Sequence, residues 1–374
     1  MKFVISSSLL SAHLMTIGRV IAQKNSLPIL DCFCFDIKGH ALTVTASDND
    51  TTLRAQLELN ECDADVRFAV NAKTLQDAIK EIPEQPLDFD LNTETYELTV
   101  NYQNGQYKLM AQDADEYPMP VLSEEGRTDL SLGAPLLLSG ISRGLVAAAT
   151  GNVRPQLSAV CFDIQDGKLS MVACNGLHLA LTTVQAENAS ANGTYLLNTR
   201  PATLLRNVLA KTQSEVKLSF GQRDATFTCD EYTMTSRLVE GKYPNYRIII
   251  PQDNPNAVTV NREALISVLR RVLVFANPSV VLVKFRIEPN TLVVSSQDTD
   301  FGKSAEETML CEFTGTPMRI AFKGSTLLEL VQHIESEDIT FKMSDPSRPT
   351  LILPAEKKEE EEVLMLIVPS FFND

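Results

Sequence analysis

A cluster of carboxylates and a pair of alternating cysteines are the residues whose types and spacing could do chemistry. The run DADE, Asp113 to Glu116, has the composition of a divalent-metal site or of an acid and base pair. Cys32 and Cys34 alternate in CFCF, so both thiols would lie on one strand face, where they could bind a metal. The alternative for the carboxylates is a solvated linker, and the alternative for the thiols is a buried core face. In each case the sequence favours this alternative over a chemical site.

The other catalytic and metal-binding signals are weak. The four histidines, His13, His40, His178 and His333, are isolated, and no two are spaced as ligands on one helix face. The patterns GxxxxGK[ST], GxGxxG and GxSxG do not occur. The seven cysteines are odd in number and include no CxxC pair, which is typical of buried thiols in a reducing compartment. We therefore expect no catalytic residue, no metal site and no cofactor.

A strand, a turn and an amphipathic helix follow one another three times along the chain. In each copy the turn carries a basic residue, and these residues, Lys73, Arg200 and Lys323, are 127 and 123 residues apart. The strand signatures FDIKGHALTV, FDIQDGKLSM and FRIEPNTLVV keep the same two spacings. A Tyr-Pro or Val-Pro pair closes each copy at nearly the same period. Three anchors with one period predict three equivalent domains, over residues 1–127, 128–253 and 254–374.

Each predicted domain contains two helical patterns and a series of short alternating segments with hairpin turns. The fold class is therefore α+β, with two helices packed on antiparallel sheet in each domain. The six predicted helices run from Ser7 to Lys24, Asn71 to Glu81, Ser139 to Arg154, Arg200 to Lys211, Arg262 to Phe275 and Lys323 to Glu335.

Charge is divided unevenly between these helices and the rest of the chain. The formal net charge of −15 argues against a nucleic-acid partner. The six predicted helices nevertheless carry a net charge of +8, which leaves −23 on the remainder. Solvated helix faces would explain each helix singly. Helices that all faced one side would instead make that side positive and able to hold a phosphate backbone.

The N-terminus and the hydropathy pattern bear on localisation. The opening MKFVISSSLL has one lysine and only a short mixed apolar run, too short for a secretory signal. No apolar stretch is long enough to span a bilayer. We expect a cytoplasmic protein that has no membrane partner.

Several motifs together resemble a known family, the bacterial sliding clamp, which is the beta subunit of the replicative DNA polymerase. They are the opening MKF, NSLPIL from Asn25, DADEYP from Asp113, ACNGLHLAL from Ala173 and RLVEGKYPNYRIIIP from Arg237. The resemblance covers the chain from Met1 to about Pro369. It implies three clamp domains in a head-to-tail dimer, a ring with twelve helices inside and the sheets outside.

The resemblance also implies the partners of the ring. It encircles double-stranded DNA without reading sequence, and it tethers proteins that carry a clamp-binding peptide. These are the catalytic subunit of the replicative DNA polymerase, the clamp loader, other polymerases and repair proteins. The family has no catalytic activity of its own.

The family's DNA-contacting arginines match Lys24 and Arg154 here, although the aromatic residues that commonly follow the second are Pro155 and Gln156 in this chain. The basic residues of the predicted helices extend the expected DNA-binding set, which is Lys24, Lys73, Arg143, Arg154, Arg200, Arg206 and Arg262. For the dimer interface the matching positions are Tyr107 and Leu109 on one side and Val274 and Phe275 on the other.

The family's peptide-binding pocket maps onto a domain junction and the C-terminus. The matching positions are Leu157, Cys174, Gly176, Leu177, His178, Leu179, Pro244, Ile248, Ile249, Pro349, Val368, Pro369 and Ser370. An ordinary interdomain core would have the same composition. Two departures stand out, because Leu177-His178 replaces a usual His-Arg pair and Ser370-Phe371 replaces a usual Met-Arg pair. We therefore expect less positive charge and more apolar surface at the pocket rim.

Two other functions remain open from the residues alone. A nucleic-acid-processing enzyme would use the DADE carboxylates with a divalent metal and would cleave DNA. A scaffold would use its repeats for protein contacts alone and would not be retained on circular DNA.

Overall fold

The computed structural model describes residues 1–122, 125–151 and 154–372, and within these ranges short strands alternate with helices. The α-helices of the described ranges are α1 (Ser7–Ile17), α2 (Ala72–Ile79), α3 (Ala134–Ala147), α4 (Thr199–Leu209), α5 (Arg262–Val272) and α6 (Gly324–Gln332). Short 3-10 helices lie at Gly18–Val20, Pro28–Asp31, Pro155–Ser158, Tyr246–Ile249 and Leu273–Phe275.

The strands are short, mostly five to nine residues, and each pairs with its neighbours in antiparallel fashion. They are β1 (Lys2–Ser6), β2 (Cys32–Lys38), β3 (Ala41–Ser47), β4 (Thr51–Glu58), β5 (Glu61–Cys62), β6 (Val66–Asn71), β7 (Pro86–Leu91), β8 (Glu97–Tyr102), β9 (Gly105–Asp113), β10 (Thr128–Gly133), β11 (Ala159–Gln165), β12 (Lys168–Cys174), β13 (His178–Gln185), β14 (Gly193–Asn198), β15 (Glu215–Phe220), β16 (Asp224–Cys229), β17 (Tyr232–Arg237), β18 (Asn256–Asn261), β19 (Leu282–Glu288), β20 (Thr291–Asp298), β21 (Lys303–Leu310), β22 (Glu312–Thr314), β23 (Met318–Lys323), β24 (Asp338–Met343), β25 (Thr350–Pro354) and β26 (Glu361–Ile367).

The chain forms two compact units. The first comprises Met1–Pro135 and Thr203–Leu238, and its strands form one sheet in the order β10-β15-β16-β17-β4-β3-β2-β6-β9-β8-β7-β1-β5. The antiparallel pairing of β4 with β17 joins the first predicted domain to the second, since Thr51 lies opposite Ser236. Backbone hydrogen bonds therefore cross the boundary predicted at residue 127.

The second unit comprises Leu136–Ala202 and Val239–Asp374. It contains a nine-stranded sheet, β14-β11-β12-β13-β26-β25-β24-β18-β22, and a four-stranded sheet, β21-β20-β19-β23. Here β13 pairs with β26, so that Leu179 lies opposite Leu366. This pairing crosses the boundary predicted at residue 253 in the same way.

Capping side chains fix where several helices begin. Asn71 and Asn261 stand just before α2 and α5, and each side-chain oxygen accepts the backbone N–H three residues on. Ser6 does the same for α1. These caps satisfy N–H groups that have no partner within the helix, and they fix the residue at which each helix begins.

The prediction for the first helix of the central domain was wrong in position. The sequence predicts it from Ser139 to Arg154, whereas α3 runs from Ala134 to Ala147. Pro135 falls in its first turn, where a missing N–H costs nothing, and a proline at this place is the sequence signal for the earlier start. The first helix also ends earlier than predicted. The prediction runs to Lys24, whereas α1 ends at Ile17 and a 3-10 turn follows at Gly18–Val20.

The repeat anchors form the core of both units. Phe35, Phe162 and Phe285, the first residues of the three strand signatures, are all buried. In the first unit Phe35 stacks on Phe68, and in the second Phe285 meets Phe322 edge to face. Burying each ring contributes roughly 1.5 to 3 kcal/mol to folding, which explains the regular recurrence of a large aromatic residue here.

Candidate functional site

An apolar cluster in the second unit brings together part of the predicted pocket. Leu179 on β13 lies opposite Cys174 on β12 and Leu366 on β26. Leu157, from the 3-10 helix before β11, and Val368, just after β26, pack against the same cluster and are partly buried. Because antiparallel strands fix these positions on a sheet, the cluster is a rigid apolar floor.

The linker that follows β17 is held on this floor by two tyrosines. The Tyr243 hydroxyl accepts the Cys174 backbone N–H at 2.9 Å, and burial raises the pKa of Tyr243 far above its ordinary value. The Tyr246 hydroxyl donates to Asp163 Oδ2 at 2.8 Å. Arg247 pairs with the same buried carboxylate at 2.8 Å and stacks on the Tyr246 ring. These contacts fix the 3-10 helix Tyr246–Ile249.

Three large apolar side chains at this site remain exposed to solvent. Ile248 is 77% exposed and Ile249 is 43% exposed, because their helix turns Tyr246 inwards. Leu177 is 62% exposed at the tip of the β12–β13 turn. That turn needs Gly176, which has φ of 92°, and the Asn175 side chain accepts the Leu177 N–H at 3.0 Å. Exposed apolar groups on a fixed support are typical of a surface that binds another chain.

His178 follows this turn and is half-buried. Its Nε2 lies 3.0 Å from Asn175 Nδ2 and 3.3 Å from the Val146 carbonyl oxygen. Burial lowers the pKa of the imidazole below its ordinary value, and the hydrogen bond to Val146 opposes only part of that shift. The ring is therefore neutral at pH 7 and adds no positive charge to the site.

The C-terminal segment closes one side of the site. Val368 N–H donates to the Leu177 carbonyl at 2.8 Å, and Ser370 N–H donates to the Ala321 carbonyl at 2.7 Å. Pro349 precedes β25, and its carbonyl accepts from the Asn254 side chain at 3.2 Å. The first two contacts hold the chain end beside the apolar floor, and the third fixes the residue that precedes β25.

The predicted pocket residues thus have different roles. Leu179 and Cys174 are buried floor, whereas Leu177, Ile248 and Ile249 offer their side chains to a ligand and Pro244 is an exposed linker residue. The predicted pocket set does not include the residues that hold the linker, Asp163, Tyr243, Tyr246 and Arg247. Their types were visible, but only the fold shows that an aspartate on β11 faces the linker.

The basic residues predicted to contact DNA do not all reach solvent. Lys24, Lys73, Arg154 and Arg200 are exposed, and Arg206 is half-buried. The Arg262 side chain donates from Nε to the Ser336 carbonyl at 3.0 Å and pairs with Glu263, so part of its hydrogen-bonding capacity is occupied.

Arg143 must be removed from the DNA-binding set. Its side chain is 3% exposed and pairs with Glu361 on β26 at 2.7 Å. It also donates from Nε to the His333 carbonyl at 3.0 Å. A guanidinium buried and bonded in this way cannot contact a phosphate. The helical pattern in the sequence shows that a positive charge lies on this helix, but it does not show which way the Arg143 side chain points.

The residues predicted for the dimer interface are exposed or partly buried in the single chain. Val274 is 74% exposed and Phe275 is 40% exposed in the 3-10 helix after α5. Tyr107 and Leu109 lie on β9 and are partly buried, and Tyr107 packs on Tyr102. The structure describes one chain, so their pairing across an interface stays a prediction.

The candidate chemical groups form local contacts. Asp113 accepts the Asp115 backbone N–H at 2.7 Å and the Tyr96 hydroxyl at 3.1 Å. Cys32 and Cys34 are buried, and burial raises the pKa of both thiols. Across the described residues no group of three or more metal-binding side chains is close enough to hold an ion. None of the helices in that same part of the chain has the length and apolar content to cross a bilayer.

Comparison with known proteins gives the class of the fold. Three domain models match in order, those of the N-terminal, central and C-terminal domains of the DNA polymerase III beta subunit, over residues 1–122, 132–245 and 247–368. The solved structure of a DNA polymerase sliding clamp from Pseudomonas aeruginosa with ligand has a TM-score of 0.92 and 23% identity, with both chains fully covered. The three-domain α+β clamp fold predicted from the sequence is confirmed.

Whole-length relatives agree with these domain models. A beta sliding clamp from Pseudomonas aeruginosa is 26% identical over 366 residues, 98% of this chain and 99% of that protein. A beta sliding clamp from Synechococcus elongatus is 27% identical over 370 residues, 95% of this chain and 96% of that protein. The chain belongs to the DNA polymerase III beta subunit family. The domain boundaries at residues 127 and 253 remain predictions.

Proposed function

We propose that this protein is a DNA sliding clamp, a subunit without catalytic activity that encircles duplex DNA and tethers the replicative polymerase. The observation that carries the proposal is the match of all three beta-subunit domains, in order, along the chain. The clamp works in the cytoplasm, with the chromosome.

The test uses topology. Loaded onto a nicked circular plasmid, the protein should stay bound through gel filtration and should dissociate when the plasmid is linearised. A scaffold without DNA binding would not be retained, and a nuclease would cleave the plasmid when Mg²⁺ is added. Either result would refute the proposal.

Ring closure requires two copies of the chain joined head to tail. Two edge strands support this proposal. β21 ends the order of the four-stranded sheet, and β6 pairs with β9 only at Ala111–Asp113. The part of β9 from residue 105 to 110 thus has β8 as its only strand neighbour among the described residues. Pairing β21 of one copy with this part of β9 in the other would satisfy both edges, and Phe275 would be covered.

DNA contacts in the ring would come from exposed basic side chains. Lys24, Lys73, Arg154 and Arg200 carry the strongest support because they are exposed. Contacts of this kind to phosphate hold DNA without reading base sequence. Since a ring is retained by topology, such contacts can be weak, and the clamp can slide.

The apolar groove of the second unit is the proposed docking site for partner peptides. Leu177, Ile248 and Ile249 expose apolar area beside a fixed chain end, which suits an extended peptide. The peptides would come from the replicative polymerase, the clamp loader, other polymerases and repair proteins. Because His178 is neutral, apolar anchors should matter more than acidic residues.

A further inference from the structure

The first unit contains counterparts of the residues that hold the linker beside the groove of the second unit, but some of their side chains are different. Tyr117, the counterpart of Tyr243, is buried, and its hydroxyl donates to the Cys32 carbonyl at 3.2 Å and accepts a backbone hydrogen bond from Ser47. Ser47 stands 127 residues before Cys174, which makes the same contact to Tyr243. Tyr117 packs in a small cluster with Leu30, Cys32, Cys34, Ala69 and Ala114, bordered by Ile29 and Met119.

The linker of this first copy does not supply the cation that the second copy has. Asp36 stands 127 residues before Asp163, whose charge is paired with Arg247 and whose Oδ2 also accepts the Tyr246 hydroxyl. The linker positions 126 residues before Tyr246 and Arg247 are Pro120 and Val121. Neither can donate a hydrogen bond from its side chain.

Cations come instead from the strands of the sheet. Arg67 on β6 lies directly opposite Asp36 on β2, and Arg54 on β4 lies opposite Thr45, which in turn faces Cys34. Residues directly opposite each other in a sheet share a face. The second repeat has Thr194 and Leu181 at the positions of Arg67 and Arg54. Two arginines in the first repeat therefore replace two uncharged residues.

The hydrogen-bonding capacity of this face is not satisfied within the described chain. Arg67 Nε and Nη2 and Thr45 Oγ1 are buried there, and no described residue forms a hydrogen bond with them. Arg54 Nη2 contacts Met119 Sδ at 3.6 Å. Among the residues that the structure describes, Asp36 forms one ion pair, of 3.6 Å, to exposed Lys38. Two guanidinium groups and the Lys38 ammonium against one carboxylate leave two positive charges, and buried N–H groups without partners are costly.

A carboxylate fits what this face lacks. The planar fork of arginine matches the two oxygens of a carboxylate, and two such forks can hold one ligand group. Burial lowers the pKa of Arg54, yet an arginine keeps its charge at any physiological pH. Met119 and Ile29 border the charged groups and offer apolar contact.

We propose that the face formed by Arg54, Arg67, Thr45 and Met119 is a second peptide-binding site of the clamp. It takes an acidic peptide, with one carboxylate on the two arginines and an adjacent apolar side chain against Met119. The site lies in the first unit, is related to the groove by the internal repeat and selects ligands of opposite character.

The full-length protein labelled with ¹³C at methionine methyl groups provides the test, because the Met119 methyl reports on this face. A Met119→Leu variant identifies its resonance. The probes are the blocked peptide acetyl-Leu-Glu-Leu-Glu-Leu-amide and its counterpart with glutamine in place of glutamate. The glutamate peptide should shift the Met119 resonance in a saturable way, and the glutamine peptide should bind at least about ten-fold more weakly.

Variants separate this site from the groove. Arg67→Met should abolish the Met119 shift, and Arg54→Met, whose guanidinium is only partly buried, provides a second variant should the first not fold. Leu177→Asp, in the groove, should leave the shift unchanged. The proposal is overturned by equal binding of the two peptides, by an unchanged shift in the arginine variants, or by a shift that acetate or phosphate produces and neither peptide does.

Discussion

Arg143 and Glu361 form a bidentate ion pair inside the second unit, with N–O distances of 2.7 and 3.2 Å. The pair ties helix α3 to strand β26, and Ser139 adds a hydrogen bond to Glu361 at 3.1 Å. A residue that the sequence assigns to DNA binding thus has a role in holding the fold.

Replacing Arg143 with alanine should lower the free energy of unfolding by about 3–5 kcal/mol, because Glu361 would stay buried without its partner. Urea unfolding measures the change. Lys24→Ala, at an exposed position, is the control and should change stability by less than about 0.5 kcal/mol. Similar small losses in both variants would contradict the structural role.

The same pair predicts a pH dependence. Burial raises the pKa of Glu361, but the hydrogen bonds and charge of Arg143, together with the charge of Lys358 and the hydrogen bond from Ser139, outweigh burial, so the pKa lies below its ordinary value of 4.5. A depressed pKa contributes stability that is present above pH 4.5 and is lost as the pH falls through the folded-state pKa. Glu361→Gln should be less stable at pH 7 and should lose less stability between pH 5 and pH 3. Parallel acid profiles for the two proteins would count against this assignment.

DNA retention should depend on exposed basic residues and not on sequence. Changing Lys24, Arg154 and Arg200 together to alanine should weaken retention equally on unrelated duplexes, and should flatten the salt dependence by about one unit per lost phosphate contact. Retention on circular plasmids at several salt concentrations gives the slopes. Lys168→Ala, at an exposed basic residue that starts β12 and lies outside the predicted DNA-binding set, serves as the control and should leave the slope unchanged. A loss confined to one DNA sequence would be incompatible with sliding.

Ring closure should fail when Phe275 is changed to aspartate, because an unpaired carboxylate would be buried in the interface at a cost of several kcal/mol. Since Phe275 is 40% exposed in the single chain, the variant should fold and run as a monomer. Analytical ultracentrifugation at micromolar concentration measures the mass. Met15→Asp, at a side chain 48% exposed on α1, is the control and should remain a dimer. A dimeric Phe275→Asp protein would place the interface elsewhere.

Partner binding should be lost when Ile248 is changed to aspartate, while the dimer stays intact. Leu179 is unsuitable for this test because it is fully buried, so a charge there would disturb folding. Calorimetric titration with a polymerase-derived peptide measures the affinity. Replacing an apolar anchor of the peptide with alanine should cost about 1–3 kcal/mol, and replacing an acidic residue much less. A larger loss from the acidic replacement would show that the rim is more positive than His178 suggests.

The sequence predicts the repeated architecture well because the same positions bury the same kinds of side chain in each copy. Phe35, Phe162 and Phe285 recur at the domain period and are all core. It could not predict that Arg143 points inwards, because its partner Glu361 is 218 residues away along the chain. Local patterns show which face of a helix is apolar, but not which distant charge meets it.

The site was predictable in the same partial way. The positions of Leu177 and Ile248 follow from the family motifs, and their exposure follows from a glycine turn and a 3-10 helix that short motifs do not specify. The ionic contact of Arg247 with Asp163 joins residues 84 positions apart. Only the fold shows such contacts. A set of motif residues therefore does not separate the buried floor from the exposed side chains and from the residues that hold the linker.

The pairing of β4 with β17 has a consequence for synthesis on the ribosome. Strand β4 begins at Thr51, but its partner begins only at Tyr232, so about 180 residues must be translated before the two can pair. At roughly 5–20 residues per second this takes about 10–40 s. During that time β4 is an edge strand with buried-type residues such as Leu53 and Ala55 uncovered, and such edges associate readily with other chains. Chaperones should therefore engage this protein during synthesis, after β4 has been made and before β17 has been made.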